Sequence, residues 1–214
     1  MTVRPLVLGI DTSSVVCVGL AAGGERVASL EVRDTRAHAE QLTPLLGRLL
    51  ADAGATMADV GSIAVGVGPG PFTGLRVGVV AAAVLAEVLD VPLKGVCSLD
   101  VLAAQAVAGG LPAGGFVVAS DARRKEWYWA TYDADGTRVS GPAVTAPDAL
   151  PDLERFGPVT DNRLELDAGR LAAFAATLPD AGLEPLYLRR PDAEVPTTRK
   201  STLLPPRLAA RRVP

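Results

Sequence analysis

Three short segments hold the residue types from which a phosphate or metal site could be built. The first is Asp11-Thr12-Ser13-Ser14, a carboxylate followed by three hydroxyls. In a turn between two strands, its N–H groups and hydroxyls would cradle a phosphate while Asp11 held a magnesium ion through water. The same residues also spell an Asx or Ser turn that satisfies its own backbone. The second is Gly68-Pro69-Gly70-Pro71-Phe72-Thr73-Gly74-Leu75-Arg76. Two Gly-Pro steps stiffen this loop, Thr73 is placed to cap the helix it opens, and the free N–H groups of that helix end favour an anion. Gly68 and Gly70 equally suit a plain strand-to-helix connection with close backbone packing. The lysine and hydroxyl of a Walker A loop are missing. The third segment, Asp121-Ala122-Arg123-Arg124-Lys125-Glu126, offers Asp121 and Arg123 to a phosphate, or is a charged hairpin turn.

Other chemistry is limited by composition. A single histidine in 214 residues excludes sites built on two or three imidazoles, and His38 alone reads as a surface or capping residue. No metal site is expected. Cys17 and Cys97 cannot make a disulfide framework, and no base and orienting group can be identified around Cys97. Nine aromatic side chains are too few for a base-stacking platform. The net charge of −3 hides an asymmetry: residues 189–214 carry +5 and the rest −8. Arginine outnumbers lysine 18 to 3, a coding bias that weakens the meaning of any one arginine. No targeting segment is evident, and the run Val77–Ala86 is about half a membrane span. A cytoplasmic protein without a membrane partner is expected.

The hydropathy pattern supplies the elements that would hold these segments. Pro5–Ile10 is a continuous apolar run, Val15–Ala22 a second, and Gly23-Gly24 turns the chain into a third strand near Arg26–Val32. Leu42, Leu45, Leu46, Leu49, Leu50 and Ala53 follow helical spacing over residues 39–53, and Gly54 supplies a stop. Ser62–Val67 is a buried strand, Gly74–Leu89 a helix and Val91–Val96 a strand. The order βββαβαβ predicts a ribonuclease-H-like lobe, the unit doubled in actin, sugar kinases and heat-shock ATPases. A fainter repeat follows: Gly115–Ser120, then Asp121, a polar turn, and Glu126–Tyr132. Residues 164–178 suit an amphipathic helix and Leu186–Leu188 a last strand or extended segment. The expected fold is α/β and actin-like, with an N-terminal lobe over 1–98, a reduced second lobe over 99–190 and a mobile basic tail over 191–214.

The helix after the Gly-Pro loop is apolar almost all round. It is either wholly buried in its lobe, or has one face in the core and the other in a subunit interface. In the second case Val77, Val80, Ala81 and Val84 would pair with the leucine face Leu42, Leu45, Leu46 and Leu49 to bind a partner.

Gly9-Ile10-Asp11-Thr12-Ser13, His38-Ala39-Glu40-Gln41-Leu42, the GPGPFTGLR loop, the Asp121–Glu126 hairpin and Leu186–Ala193 (LYLRRPDA) together resemble the TsaB family. That resemblance implies a non-catalytic, actin-like subunit in the bacterial synthesis of threonylcarbamoyladenosine on tRNA, next to the anticodon. It implies binding to the catalytic paralogue TsaD through helices 39–53 and 74–89, and recruitment of the ATPase TsaE by the pair. A homodimer through the same two helices is also expected when TsaD is absent. No cofactor is expected, with ATP or ADP held only in the assembled complex, and tRNA is reached indirectly or through the basic tail. TsaD's metal-binding histidine pair has no counterpart at Val96–Leu102. Two other readings stand beside this one. Asp11 and Asp121 facing one cleft would suit a small-molecule kinase of the same superfamily. A glycoprotease-like metallopeptidase is made improbable by the lone His38.

Overall fold

The computed structural model describes residues 5–33 and 38–189. Expectations for the tail beyond Pro191 and for the His38 side chain fall outside the described residues. The chain opens with strands β1 (Leu6–Asp11), β2 (Val16–Ala22) and β3 (Glu25–Val32). Gly23 and Gly24 turn β2 into β3 with φ of 61° and 84°, left-handed geometry that suits a two-residue hairpin. Helix α1 (His38–Asp52), strand β4 (Val60–Gly66), helix α2 (Phe72–Leu89) and strand β5 (Leu93–Val96) follow. The strands form one sheet in the order β3-β2-β1-β4-β5, antiparallel at β1–β2 and β2–β3 and parallel thereafter.

Helix α3 (Ser98–Ala108) leads into a second sheet of β6 (Phe116–Asp121), β7 (Trp127–Tyr132), β8 (Arg138–Thr145), β9 (Glu154–Gly157) and β10 (Asn162–Arg163). Its order, β10-β9-β6-β7-β8, repeats the first sheet strand for strand, with the same sense of pairing. Thus β6 stands where β1 stands, and each ends in an aspartate. The helices differ. In the place of α1 the second half has only a single 3-10 turn over Pro147–Ala149, and no helix joins β9 to β10. Helix α4 (Ala168–Phe174) closes the described helices.

The two sheets exchange helices. α3 follows the first sheet but packs on β6, β7 and β9; α4 follows the second but lies across β1, β2 and β3. A glycine pair admits α4. Gly9 and Gly19 face each other in the β1–β2 register, and a Cβ on either would collide with the α4 backbone at Ala168 or Gly169. Backbone-to-sheet contact of this kind leaves no room for a side chain. The resulting core joins the halves: Cys17, Ala64 and Val96 share it with Leu99, Phe116, Tyr132, Phe156 and Leu171.

Several elements depart from the sequence expectations. α2 begins at Phe72 rather than Gly74, so Thr73 lies inside the first turn instead of capping it. Pro71 is the N-cap, with no side-chain bond, and its carbonyl accepts from the Leu75 N–H at 3.1 Å. At 18 residues α2 is long and apolar enough to cross a membrane, yet here Leu75, Val79, Ala82 and Ala86 pack into the lobe. α4 is shorter than 164–178. The Asp167 carboxylate caps it by accepting from the Arg170 N–H at 3.1 Å, and the chain leaves the helix after Phe174. The Lys94 ammonium donates to the carbonyls of Ala175 and Leu178 beyond it, each at 2.7 Å. Residues 186–188 form no strand, although the Leu186 N–H donates to the Val67 carbonyl at 2.9 Å.

Gly19→Ala should lower the unfolding free energy by about 1–3 kcal/mol, the cost of overpacking a closed contact. Urea titration checks this through the midpoint. An unmoved midpoint would mean that α4 can lift from the sheet without penalty.

Candidate functional site

β1 delivers Asp11 to the point where the first sheet, the Gly-Pro loop and α3 meet. The carboxylate is fully buried. Its Oδ1 accepts from the Ser13 N–H at 2.7 Å and the Ser13 hydroxyl at 2.6 Å, and its Oδ2 accepts from the Ser98 hydroxyl at 2.5 Å. Ser98 opens α3 and binds the loop twice more: its N–H donates to the Gly68 carbonyl at 2.8 Å, and its Oγ accepts from the Gly68 N–H at 3.2 Å. Thr12, also fully buried, donates to the Gly74 carbonyl at 2.8 Å in the first turn of α2. Gly70 lies so close to Ser13 that a Cβ would come within 2.5 Å of its carbonyl oxygen.

Asp11, Thr12, Ser13, Gly68 and Gly70 are therefore brought together, but as a closed polar knot. Both Asp11 oxygens are engaged, and Gly66 crowds Oδ2 from the far side. Of the two readings of residues 11–14, the arrangement is that of the self-satisfied turn. The cause is Ser98, whose hydroxyl arrives from 87 residues away. Thr73 is exposed on α2 and takes no part.

Asp121 and Arg123 lie at the β6–β7 connection of the other sheet and pair with each other at 3.2 Å, both exposed. Arg123, Arg124 and Lys125 all adopt left-handed φ of 64°, 54° and 63°, a turn that non-glycine residues rarely form. The loop and this hairpin touch through Tyr128, whose hydroxyl donates to the Gly70 carbonyl at 3.5 Å. The Arg189 guanidinium donates to the Ala122 carbonyl and pairs with Glu126, each at 2.6 Å.

A second buried carboxylate, Asp100 in the first turn of α3, was not singled out from sequence. It accepts from the Tyr132 hydroxyl at 2.8 Å and pairs with Arg138 at 3.5 Å. A cleft of about 420 Å³ lies beside it, between α3, the β7–β8 connection and residues 177–179. Burial raises the carboxyls of both Asp11 and Asp100, against the bonds that Ser13, Ser98 and Tyr132 donate to them. Burial, then Asp100, pushes the Cys97 thiol up to about 12, and burial followed by Asp11 raises Cys17. Neither thiol has the ionised character of a nucleophile.

The helix pair divides differently from the expected partner face. Leu42, Leu45, Leu46 and Leu49 are buried against β-strand residues of the first lobe, because α1 lies flat on the sheet. They are core residues, and their assignment to a partner surface is corrected. Val77 and Ala81 are partly covered, whereas Val80, Val84 and Val88 are 59%, 57% and 75% exposed. This stripe runs at i, i+4, i+8 and continues back through Arg76 to Phe72. There the Phe72 and Tyr187 rings meet at 4.8 Å, the Arg76 guanidinium lies 4.1 Å over Phe72, and its Nε donates to the Tyr187 hydroxyl at 3.0 Å.

Two sheets of identical strand order that exchange helices, with an aspartate ending each central strand, define a two-lobed actin-like α/β protein with a reduced second lobe. A family model described as TsaD, tRNA N6-adenosine threonylcarbamoyltransferase, matches residues 33–190. The chain is 44% identical over 208 residues to an uncharacterised protein of Mycobacterium tuberculosis, covering 88% of this chain and 93% of that one. It is 31% identical over 202 residues to the tRNA threonylcarbamoyladenosine biosynthesis protein TsaB of Escherichia coli, covering 93% and 84%. A solved structure from Pseudomonas aeruginosa, described as similar to the peptidase YeaZ, superposes with a TM-score of 0.69 at 29% identity, over 86% of this chain and all of that one. The chain belongs to the TsaB family.

Folded carboxyls raised above their unfolded value near 4 stabilise the fold fully below that value, and the contribution is lost as pH rises through the folded one. Asp11→Asn removes one such titration. The decline of unfolding free energy as pH rises above about 4 should therefore flatten. Urea titrations at several pH values measure this slope; an unchanged slope would show that Asp11 titrates alike folded and unfolded.

Proposed function

We propose that this chain is a non-catalytic binding subunit in the synthesis of threonylcarbamoyladenosine on tRNA. Its work is to dock on the catalytic paralogue TsaD, and the docked pair supports the ATPase TsaE. The observation that carries the reading is the exposed valine stripe of α2 in a chain of the TsaB family. Three aligned β-branched side chains on a long helix form an apolar surface that a partner would cover. Next to them, Arg76 held between Phe72 and Tyr187 supplies the aromatic and guanidinium groups typical of an interface anchor. The enclosure of Asp11 supports the non-catalytic part, since the carboxylate is committed to Ser13 and Ser98.

In this reading tRNA is reached through TsaD, nucleotide is held only in the assembled complex, and the setting is the cytoplasm. Without TsaD, two copies pair through the same stripe. A small-molecule kinase would need Asp11 free at an open cleft, and nothing in the site favours that.

Mixing the chain with TsaD and measuring mass in solution should give a complex that Val80→Arg abolishes with the fold intact. Leu46→Glu is a poor interface probe because it places a carboxylate in the core and should unfold the lobe. No association with TsaD under any nucleotide or tRNA condition would sink the proposal.

A further inference from the structure

The outward face of α2 carries two opposite charges, one at each end of its exposed valines. Arg76 lies over the Phe72 ring and donates its Nε proton to the Tyr187 hydroxyl. The side chain is thereby fixed, while its terminal nitrogens have no partner among the described residues. Glu87, about three turns further along the helix, is exposed and makes no side-chain hydrogen bond or ion pair among the described residues. At about 100° per residue, Arg76 and Glu87 both point within roughly 40° of Val80. Along that face the helix therefore reads cation, valine, valine, anion.

Whatever covers Val80 and Val84 also takes water from Arg76, and a guanidinium that loses water needs an acceptor. The order of charges supplies one when the helix meets itself. In an antiparallel pair with its two-fold axis at Val80, Val80 meets Val80 and Arg76 lies level with Val84 of the second copy. Glu87 of the second copy is about 4.5 Å further along the helix axis. Side chains on a helix lean toward its N-terminus, and Arg76 does so over Phe72. That lean carries the guanidinium toward the facing carboxylate, and symmetry repeats the contact on the other side of the axis. A parallel pair would instead set Arg76 against Arg76 and Glu87 against Glu87.

This inference rests on the reading that two copies pair through the α2 stripe. We propose that the pair is antiparallel about Val80, and that reciprocal Arg76–Glu87 ion pairs between the copies set its orientation and register. The valines supply the apolar contact, and the charges reject the parallel arrangement. Because stacking already holds Arg76 in one rotamer, little further freedom is lost when it pairs.

Sedimentation equilibrium of the full chain without TsaD reads the monomer–dimer constant. Arg76→Glu and Glu87→Arg should each weaken the dimer by about tenfold, since each brings like charges together twice. The double variant should return to within about threefold of the native chain, because both pairs re-form with their signs exchanged. Both positions are exposed, so circular dichroism and the urea midpoint should stay constant. Single variants that dimerise like the native chain overturn the proposal while leaving self-pairing intact. A double variant no stronger than the singles does the same. A native chain that is monomeric at every concentration removes self-pairing itself, and the proposal with it. Reversals that weaken docking on TsaD without touching self-association would give both charges to the paralogue, and also overturn the proposal.

Discussion

The seating of α4 on a sheet that is not its own is the contact on which the rest of the molecule depends. It is possible because Gly9 and Gly19 meet across β1 and β2, so that helix backbone rests on strand backbone. α3 makes the reciprocal crossing, and residues of both lobes then share one core. Neither lobe can complete its own inner face, and the placement of one sheet against the other follows from that mutual need.

The duplicated topology makes two aspartates comparable. Asp11 ends β1 and Asp121 ends β6, at equivalent places in the two sheets. Asp11 meets Ser98 and the Gly-Pro loop, is sealed from water, and binds three elements together through hydroxyl and amide donors. Asp121 has no such visitor and pairs with Arg123 in the open. A buried, fully bonded carboxylate contributes to specificity of the fold, whereas an exposed pair contributes little to stability. Position in a repeat does not assign a role; the groups that arrive from elsewhere in the chain do.

The α2 helix shows why an apolar sequence has two meanings. Leu75, Val79, Ala82 and Ala86 face the first sheet, and Val80, Val84 and Val88 face outward. Both sets are hydrophobic, so hydropathy marked the helix as unusual without dividing it. The leucines of α1 carried the stronger periodic signal and were assigned to the partner, yet they lie on the sheet. A strong amphipathic period points to the core first, because a helix on a sheet must bury its single apolar stripe there. The outward valines stand out only once that inner face is known.

Much of the first lobe was legible from local pattern alone. Continuous apolar runs marked β1, β2 and β4, Gly23-Gly24 marked the hairpin, and the spacing from Leu42 to Ala53 marked α1, because backbone geometry imposes those periods on any buried element. The Gly-Pro loop and the Asp121–Glu126 hairpin carried the family resemblance. The second lobe was less legible: α3 has apolar and small residues on every side, and β8–β10 are short or polar, so neither leaves a clear period. What no local reading could supply was the partner of each polar group. Ser98 on Asp11, Tyr132 on Asp100 and the α4 backbone on Gly9 are separated in sequence by 87, 32 and more than 150 residues respectively. Element type is set by neighbours along the chain, so the sequence by itself determined the strands, the turns and the family. Whether a carboxylate is open or sealed, and whether a valine faces core or solvent, depends on contacts between distant residues, and only the tertiary structure decided those.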